Sequence, residues 1–167
     1  LGDQINLVET LEFGDIQLQD LLKQPFRTRR ATENAKFANA SSSLAYWQAR
    51  MLDLDACLTK TRLDAPDLVF NLVLDDPVAQ HLPADHNWRG IGGEYIVTLG
   101  QTSGTEPGQS ASLPTLRASV NAWSRSWLGI RPASQLSATS DLEATSELLA
   151  SLDRSFRLPN PHLGWDF

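Results

Sequence analysis

The chain has 167 residues, 41% of them hydrophobic, and a net charge of −6; that is enough for one domain with a core plus an appended segment, and too acidic to offer nucleic acid a basic face. Its single cysteine, Cys57, excludes an intrachain disulfide and any cysteine-based metal cluster, and fits a reducing cytoplasm. No apolar run approaches the roughly 18 residues of a membrane span and no signal-peptide pattern opens the chain, so the expectation is a cytoplasmic protein without a membrane span.

Leu1 stands where a methionine would begin a natural chain, which points to a fragment or a processed product. Over residues 1–24 apolar and polar positions alternate loosely, and Asp15 is placed to cap a short helix carrying Ile16, Leu18, Leu21 and Leu22. Arg27, Arg29 and Arg30 form the one basic cluster, in a polar stretch that reads as a solvated or interface patch. Residues 31–43 are Ala, Asn, Ser, Thr, Lys and Glu with one Phe37, a linker composition that builds no core. The boundary therefore falls near Ser43, with residues 1–44 as an N-terminal arm and linker and residues 45–167 as the folded domain.

Trp47, Ala49 and Met51 alternate with Tyr46, Gln48 and Arg50, which predicts a strand. Asp53 is placed to cap a helix that turns Leu54, Cys57 and Leu58 inward and ends before Asp64-Ala65-Pro66. Leu68, Phe70, Leu72 and Leu74, interleaved with Val69, Asn71 and Val73, make the clearest strand, apolar on nearly both faces and hence central. A polar loop over residues 77–89 holds His81 and His86, and Gly90, Gly92 and Gly93 turn the chain into a strand at 94–99 that puts Tyr95, Val97 and Leu99 on one face. Residues 101–112, rich in Gly, Ser and Thr, read as a mobile loop.

Leu116, Ala118 and Val120 alternate as one more strand, which runs into a helix at Asn121 with Trp123 and Trp127 on one side of it. Gly129 ends that helix, and Pro132 opens a short one reaching Ala138. Ser140 and Glu143 form a capping-box pattern for a last helix striped by Leu148, Leu149, Leu152 and Phe156. Strands and helices mix without a βαβ repeat, so the fold class is α+β: a mixed sheet of about five strands covered by helices on one side.

Few constellations carry chemistry. Arg89-Gly90-Ile91-Gly92-Gly93 lacks the spacing of a phosphate loop, and its glycines precede a strand, so it reads as a turn. His81, Asp85 and His86 match no metal spacing, and no serine sits in a Gly-x-Ser-x-Gly elbow. Trp47, Trp123, Trp127 and Phe156 either line an apolar pocket between sheet and helices or form plain core. At the C-terminus, Pro159 and Pro161 stiffen the approach to Trp165-Asp166-Phe167. Two readings stay open there. The rings pin the tail to the domain, or they carry the Phe167 carboxylate into a pocket where burial and the Asp166 charge raise its pKa, as a general base near neutral pH requires.

Seven short features follow one another from Ala45 onward: Trp47 to Asp53 with Ala56; the strand Leu68 to Leu74 with Asp75-Asp76-Pro77; Asn87-Trp88-Arg89-Gly90; Ser119 to Trp123; Leu128-Gly129; Leu152 to Phe156; and Asp166-Phe167. Their order resembles the C-terminal sterol-carrier-like (SCP2-type) domain of the enhanced-intracellular-survival (Eis-like) family of GNAT acetyltransferases, over residues 45–167. The resemblance implies that two acetyltransferase-like domains precede this one in a longer parent enzyme, that residues 1–30 hold the tail of the nearer of them, and that the full-length protein is a homo-oligomer. It further implies that acetyl-CoA and an amine are the parent's substrates, with the carboxylate of Phe167 as general base, Asp166 as contact for the cationic amine and Trp165 in the same pocket. The chain itself has nothing like the acetyl-CoA motif of that family, so it is expected to hold no cofactor and to be inactive alone. Two rivals stand beside this reading: a stand-alone lipid- or sterol-binding module with its apolar ligand between the tryptophans, and a structural or oligomerisation domain.

Overall fold

The computed structural model describes residues 49–139 and 141–157, all within the unit Ala49–Pro161. In chain order its elements are α1 (Leu54–Thr59), β1 (Leu68–Asp75), a 3-10 turn (Pro77–His81), β2 (Gly93–Leu99), β3 (Gly104–Pro107), β4 (Thr115–Ser119), α2 (Val120–Trp127), α3 (Ala133–Thr139), β5 (Leu142–Glu143) and α4 (Ser146–Ser155). The architecture is α+β, with one five-stranded mixed sheet ordered β3-β2-β1-β4-β5.

β1 is the middle strand because its sequence tolerates cover on both sides. It runs antiparallel to β2, with Leu68 opposite Leu99 and Leu74 opposite Gly93, and parallel to β4, with Leu72 beside Leu116. The register puts Phe70, Leu72 and Leu74 on the same face as Val97, Leu99, Leu116 and Ala118, and the helices supply Leu54, Leu58, Trp123, Leu136, Leu148 and Leu152 to the same buried cluster. Each such side chain contributes about 1.5–3 kcal/mol on burial. The opposite face is wetter, with Val69, Arg117 and Glu94 exposed and Val73, Ile96 and Thr98 half-buried. Asn71 is the exception on that face, buried beneath the 108–114 loop.

Asp53 caps α1 by accepting the Ala56 N–H, and Leu54 and Leu58 are the buried pair of that helix. Gly129, at φ 72°, follows the C-cap of α2 in the left-handed conformation a glycine adopts freely. Four local expectations are corrected. Residues 49–51 form no strand: the Met51 N–H donates to Ser124 Oγ at 2.9 Å, so a side chain takes the bond a neighbouring strand would have made. The 101–112 stretch contains β3, paired to β2 from Tyr95–Pro107 to Thr98–Gly104. α2 begins at Val120, one residue early, because Ser119 accepts the Ala122 N–H. The last helix is capped by Thr145, not by the Ser140/Glu143 pair, since Leu142 and Glu143 belong to β5 and pair with Ala118 and Arg117. The expected arm helix, the linker and Trp47 lie outside the described residues, as do Trp165, Asp166 and Phe167.

Candidate functional site

The densest polar constellation is built on Asp76, at the end of β1. Its Oδ1 accepts the Val78 N–H at 3.2 Å, capping the 3-10 turn, while Oδ2 accepts the Ile91 N–H at 2.9 Å and the Arg50 Nη2 at 2.6 Å. The carboxylate side chain has 0% exposure against 31% for Arg50. The Arg50 guanidinium lies 5.7 Å from the Trp88 ring centroid, and the Trp88 indole donates to Leu52 O at 3.1 Å. Gly90, at φ 93°, allows the approach: a Cβ there would stand 2.5 Å from Asp76 Oδ2. Arg89 holds the rest of the loop through Pro83 O and Ala79 O. His81 and His86 are exposed, and the His86 Nδ1 lies 2.7 Å from Trp88 O. No cluster of three or more His, Cys, Asp or Glu that could hold a metal occurs among the described residues.

This arrangement fastens the chain, because three donors of the protein converge on a fully buried carboxylate. It also settles how the Arg89–Gly93 turn relates to coenzyme A. A pyrophosphate needs free amides at a strand-to-helix turn; here the Ile91 amide already serves a carboxylate, and the turn leads into β2. The turn does not fit the cofactor, and no step through acetyl-CoA is assigned to it.

Of the aromatic set, three members are described. Trp123 has 0% exposure and meets Phe70 and Phe156 edge to face, with centroids 6.3 and 6.1 Å apart. Its indole N–H is buried without a partner among the described residues. Trp127 is half-buried and donates to Thr61 Oγ1 at 2.9 Å; that hydroxyl in turn donates to Cys57 O, tying the end of α1 to α2. Burial first, and the Asp53 charge second, push the Cys57 thiol up, with an opposing backbone hydrogen bond, so it stays a protonated thiol. The structure thus brings Trp123 and Phe156 together and sends Trp127 to a separate tether.

A cleft of about 390 Å³ opens at the ends of α2, α3 and α4, between Ser126, Ile130, Arg131, Asp153, Phe156 and Arg157. Phe156 is the only member of the aromatic set in the described wall of this cleft. A shallower one of about 350 Å³ lies over Thr115, Arg117, Glu143 and Thr145 at the β4–β5 edge. Neither the Asp76 cluster nor the first cleft was legible as a site from sequence, since both are assembled from residues distant in the chain.

No family model matches this chain, and no curated protein matches it in sequence. Solved structures do share its fold. A GCN5-related N-acetyltransferase from Anabaena variabilis superposes with a TM-score of 0.53 at 16% identity, over 67% of this chain and 26% of its own. One from Kribbella flavida gives 0.52 at 18% identity, over 67% and 26%. An Enterococcus faecalis protein of unknown function, described as a probable N-acyltransferase, gives 0.61 at 21% identity, over 86% and 31%. The fold is therefore one found within GCN5-related N-acetyltransferase chains, and this chain spans between a quarter and a third of the length of the structures it matches.

Proposed function

We propose that this chain is the C-terminal sterol-carrier-like domain of an Eis-like, acetyl-CoA-dependent N-acetyltransferase. In this reading residues 45–167 form the domain and residues 1–44 lead in from the acetyltransferase domains of the same parent. The observation that carries it is the shared fold with two proteins named as GCN5-related N-acetyltransferases and one described as a probable N-acyltransferase, whose chains are three to four times longer than the matched portion. The order of the seven sequence features, Trp47 to Phe167, adds support. The Asp76 turn does not fit coenzyme A, which agrees with acetyl-CoA being held by the other domains.

The chemical role assigned to this chain is proton removal. The α-carboxylate of Phe167, the last residue of this sequence, takes the proton from the amine nitrogen as it attacks the acetyl group, with Asp166 holding the cationic form of that amine and Trp165 walling the pocket. Such a carboxylate works as a base near neutral pH if desolvation and the adjacent Asp166 charge raise its pKa. The test uses the full-length parent enzyme. Adding four residues after Phe167 moves the carboxylate away and should lower kcat by about 10²–10⁴-fold, the range for loss of a general base. Phe167→Ala keeps the carboxylate and should cost far less. An extended enzyme that acetylates at full rate would sink the base assignment.

A further inference from the structure

We propose that Phe156, the residue that ends α4, positions the proton-removing carboxylate of Phe167, an inference that rests on the acetyl-transfer reading above. The chain leaves the last helix of the described residues at this point. Phe156 is its C-cap, with φ −93°, ψ 49° and its N–H donated to Leu152 O at 2.9 Å. The Phe156 ring meets the Trp123 indole edge to face, with centroids 6.1 Å apart and planes at 85°. Trp123, at 0% exposure, meets Phe70 in the same manner at 6.3 Å, and Phe70 belongs to the middle strand. Three rings thus run from the centre of the sheet to the root of the C-terminal residues.

Other contacts of that turn hold the helix and not its cap. Leu152 is fully buried in the core, and the Asp153 carboxylate accepts the Ser134 N–H at 3.3 Å, tying α4 to the start of α3. Phe156 acts further on, where φ and ψ set the course of the chain that follows. Edge-to-face rings have a preferred mutual orientation besides the area they bury, so this side chain fixes a direction where an aliphatic one would supply only cover. Phe167 lies 11 positions beyond it, with Pro159 and Pro161 between. Those prolines fix two of the intervening φ angles and reduce the freedom with which the chain could correct an error at its root. Over a contour of at most about 40 Å, a small rotation at Phe156 grows toward the end. A general base works within about 2.6–3.2 Å of its proton, and a misplacement of about 1 Å costs on the order of 10²-fold in rate. Phe156 acts through the carboxylate and takes no part in the proton transfer itself.

Four forms of the full-length parent enzyme test this: the unaltered chain, Phe156→Leu, the four-residue extension after Phe167, and the two changes combined, with Phe156→Tyr as the rescue. Phe156→Leu keeps an apolar side chain at a half-buried position, and thermal melting checks that each form is folded. In Phe156→Leu, kcat should fall by about tenfold with KM for acetyl-CoA unchanged. Phe156→Tyr restores the ring and should return kcat to within about twofold. In the extended enzyme the carboxylate is already displaced, so adding Phe156→Leu should lower kcat no further. A full rate in Phe156→Leu, no recovery in Phe156→Tyr, or a loss that multiplies with that of the extension would overturn the positioning role while the base assignment stands. A full rate in the extended enzyme would remove the base and the positioning role together, so the two failures are told apart.

Discussion

Asn71 sits between Phe70 and Leu72 in the middle strand and is 2% exposed, so its amide has to be satisfied inside the protein. Its Nδ2 donates to Ser110 O at 2.8 Å and Leu113 O at 3.1 Å, and its Oδ1 accepts the Ser110 N–H at 2.8 Å. Asn71→Leu would leave those backbone groups without partners. The expected loss is about 2–3 kcal/mol, read as a lower urea midpoint at unchanged slope. Tyr95 gives a residue-level test of charge. Burial, and after it the Asp76 charge, push its phenol above the usual 10. The folded protein then holds that proton more tightly than the unfolded chain does, so the contribution is whole below pH 10 and is lost as pH rises from there toward the folded value. Tyr95→Phe should flatten the fall of Tm between about pH 9.5 and 11, at the expense of the 3.0 Å bond to Ile91 O. An identical alkaline slope in the two proteins would show that the phenol does not contribute.

Among the elements, α2 and α4 begin in the same way, with Ser119 and Thr145 in extended backbone accepting the N–H of the third residue on. Ser119→Ala and Thr145→Ala should each cost about 1 kcal/mol. The two effects should add in the double variant if the caps act locally, which thermal melts of all four proteins would establish. Strands β1, β2 and β4 were readable because one face of each is apolar where it meets the helices. β3 was not, since Gly104-Thr105-Glu106-Pro107 is an edge that meets no core and carries no apolar alternation. β5 was hidden by its two-residue length, which let Glu143 pass for part of a cap. Within the described residues 49–51 the alternation misled for the opposite reason: Met51 is buried by its own side chain with no ladder beside it. The Asp76 cluster escaped because its partners lie 26 and 15 positions away, and no local spacing announces such a pairing.

For the whole molecule, the described unit carries one buried cluster of sheet and helix side chains, and its Arg89–Gly93 turn does not offer a pyrophosphate free amides. Millimolar acetyl-CoA should therefore leave the Tm of this chain unchanged, whereas a site of 10 μM affinity would add about 2.7 kcal/mol. A clear upward shift would mean that the cofactor binds here after all. The strand order has a consequence of its own. β1, β2 and β3 form a local antiparallel meander that is finished by Pro107, yet β1 gains its second neighbour only when Thr115–Ser119 arrives on the other side. Until that stretch has left the ribosome, the future centre of the sheet is an open apolar edge, with Leu72 and Leu74 awaiting Leu116 and Ala118. During synthesis the protein is thus most prone to aggregate after its first three strands exist and before its fourth does, an interval of vulnerability that ends when β4 pairs with β1.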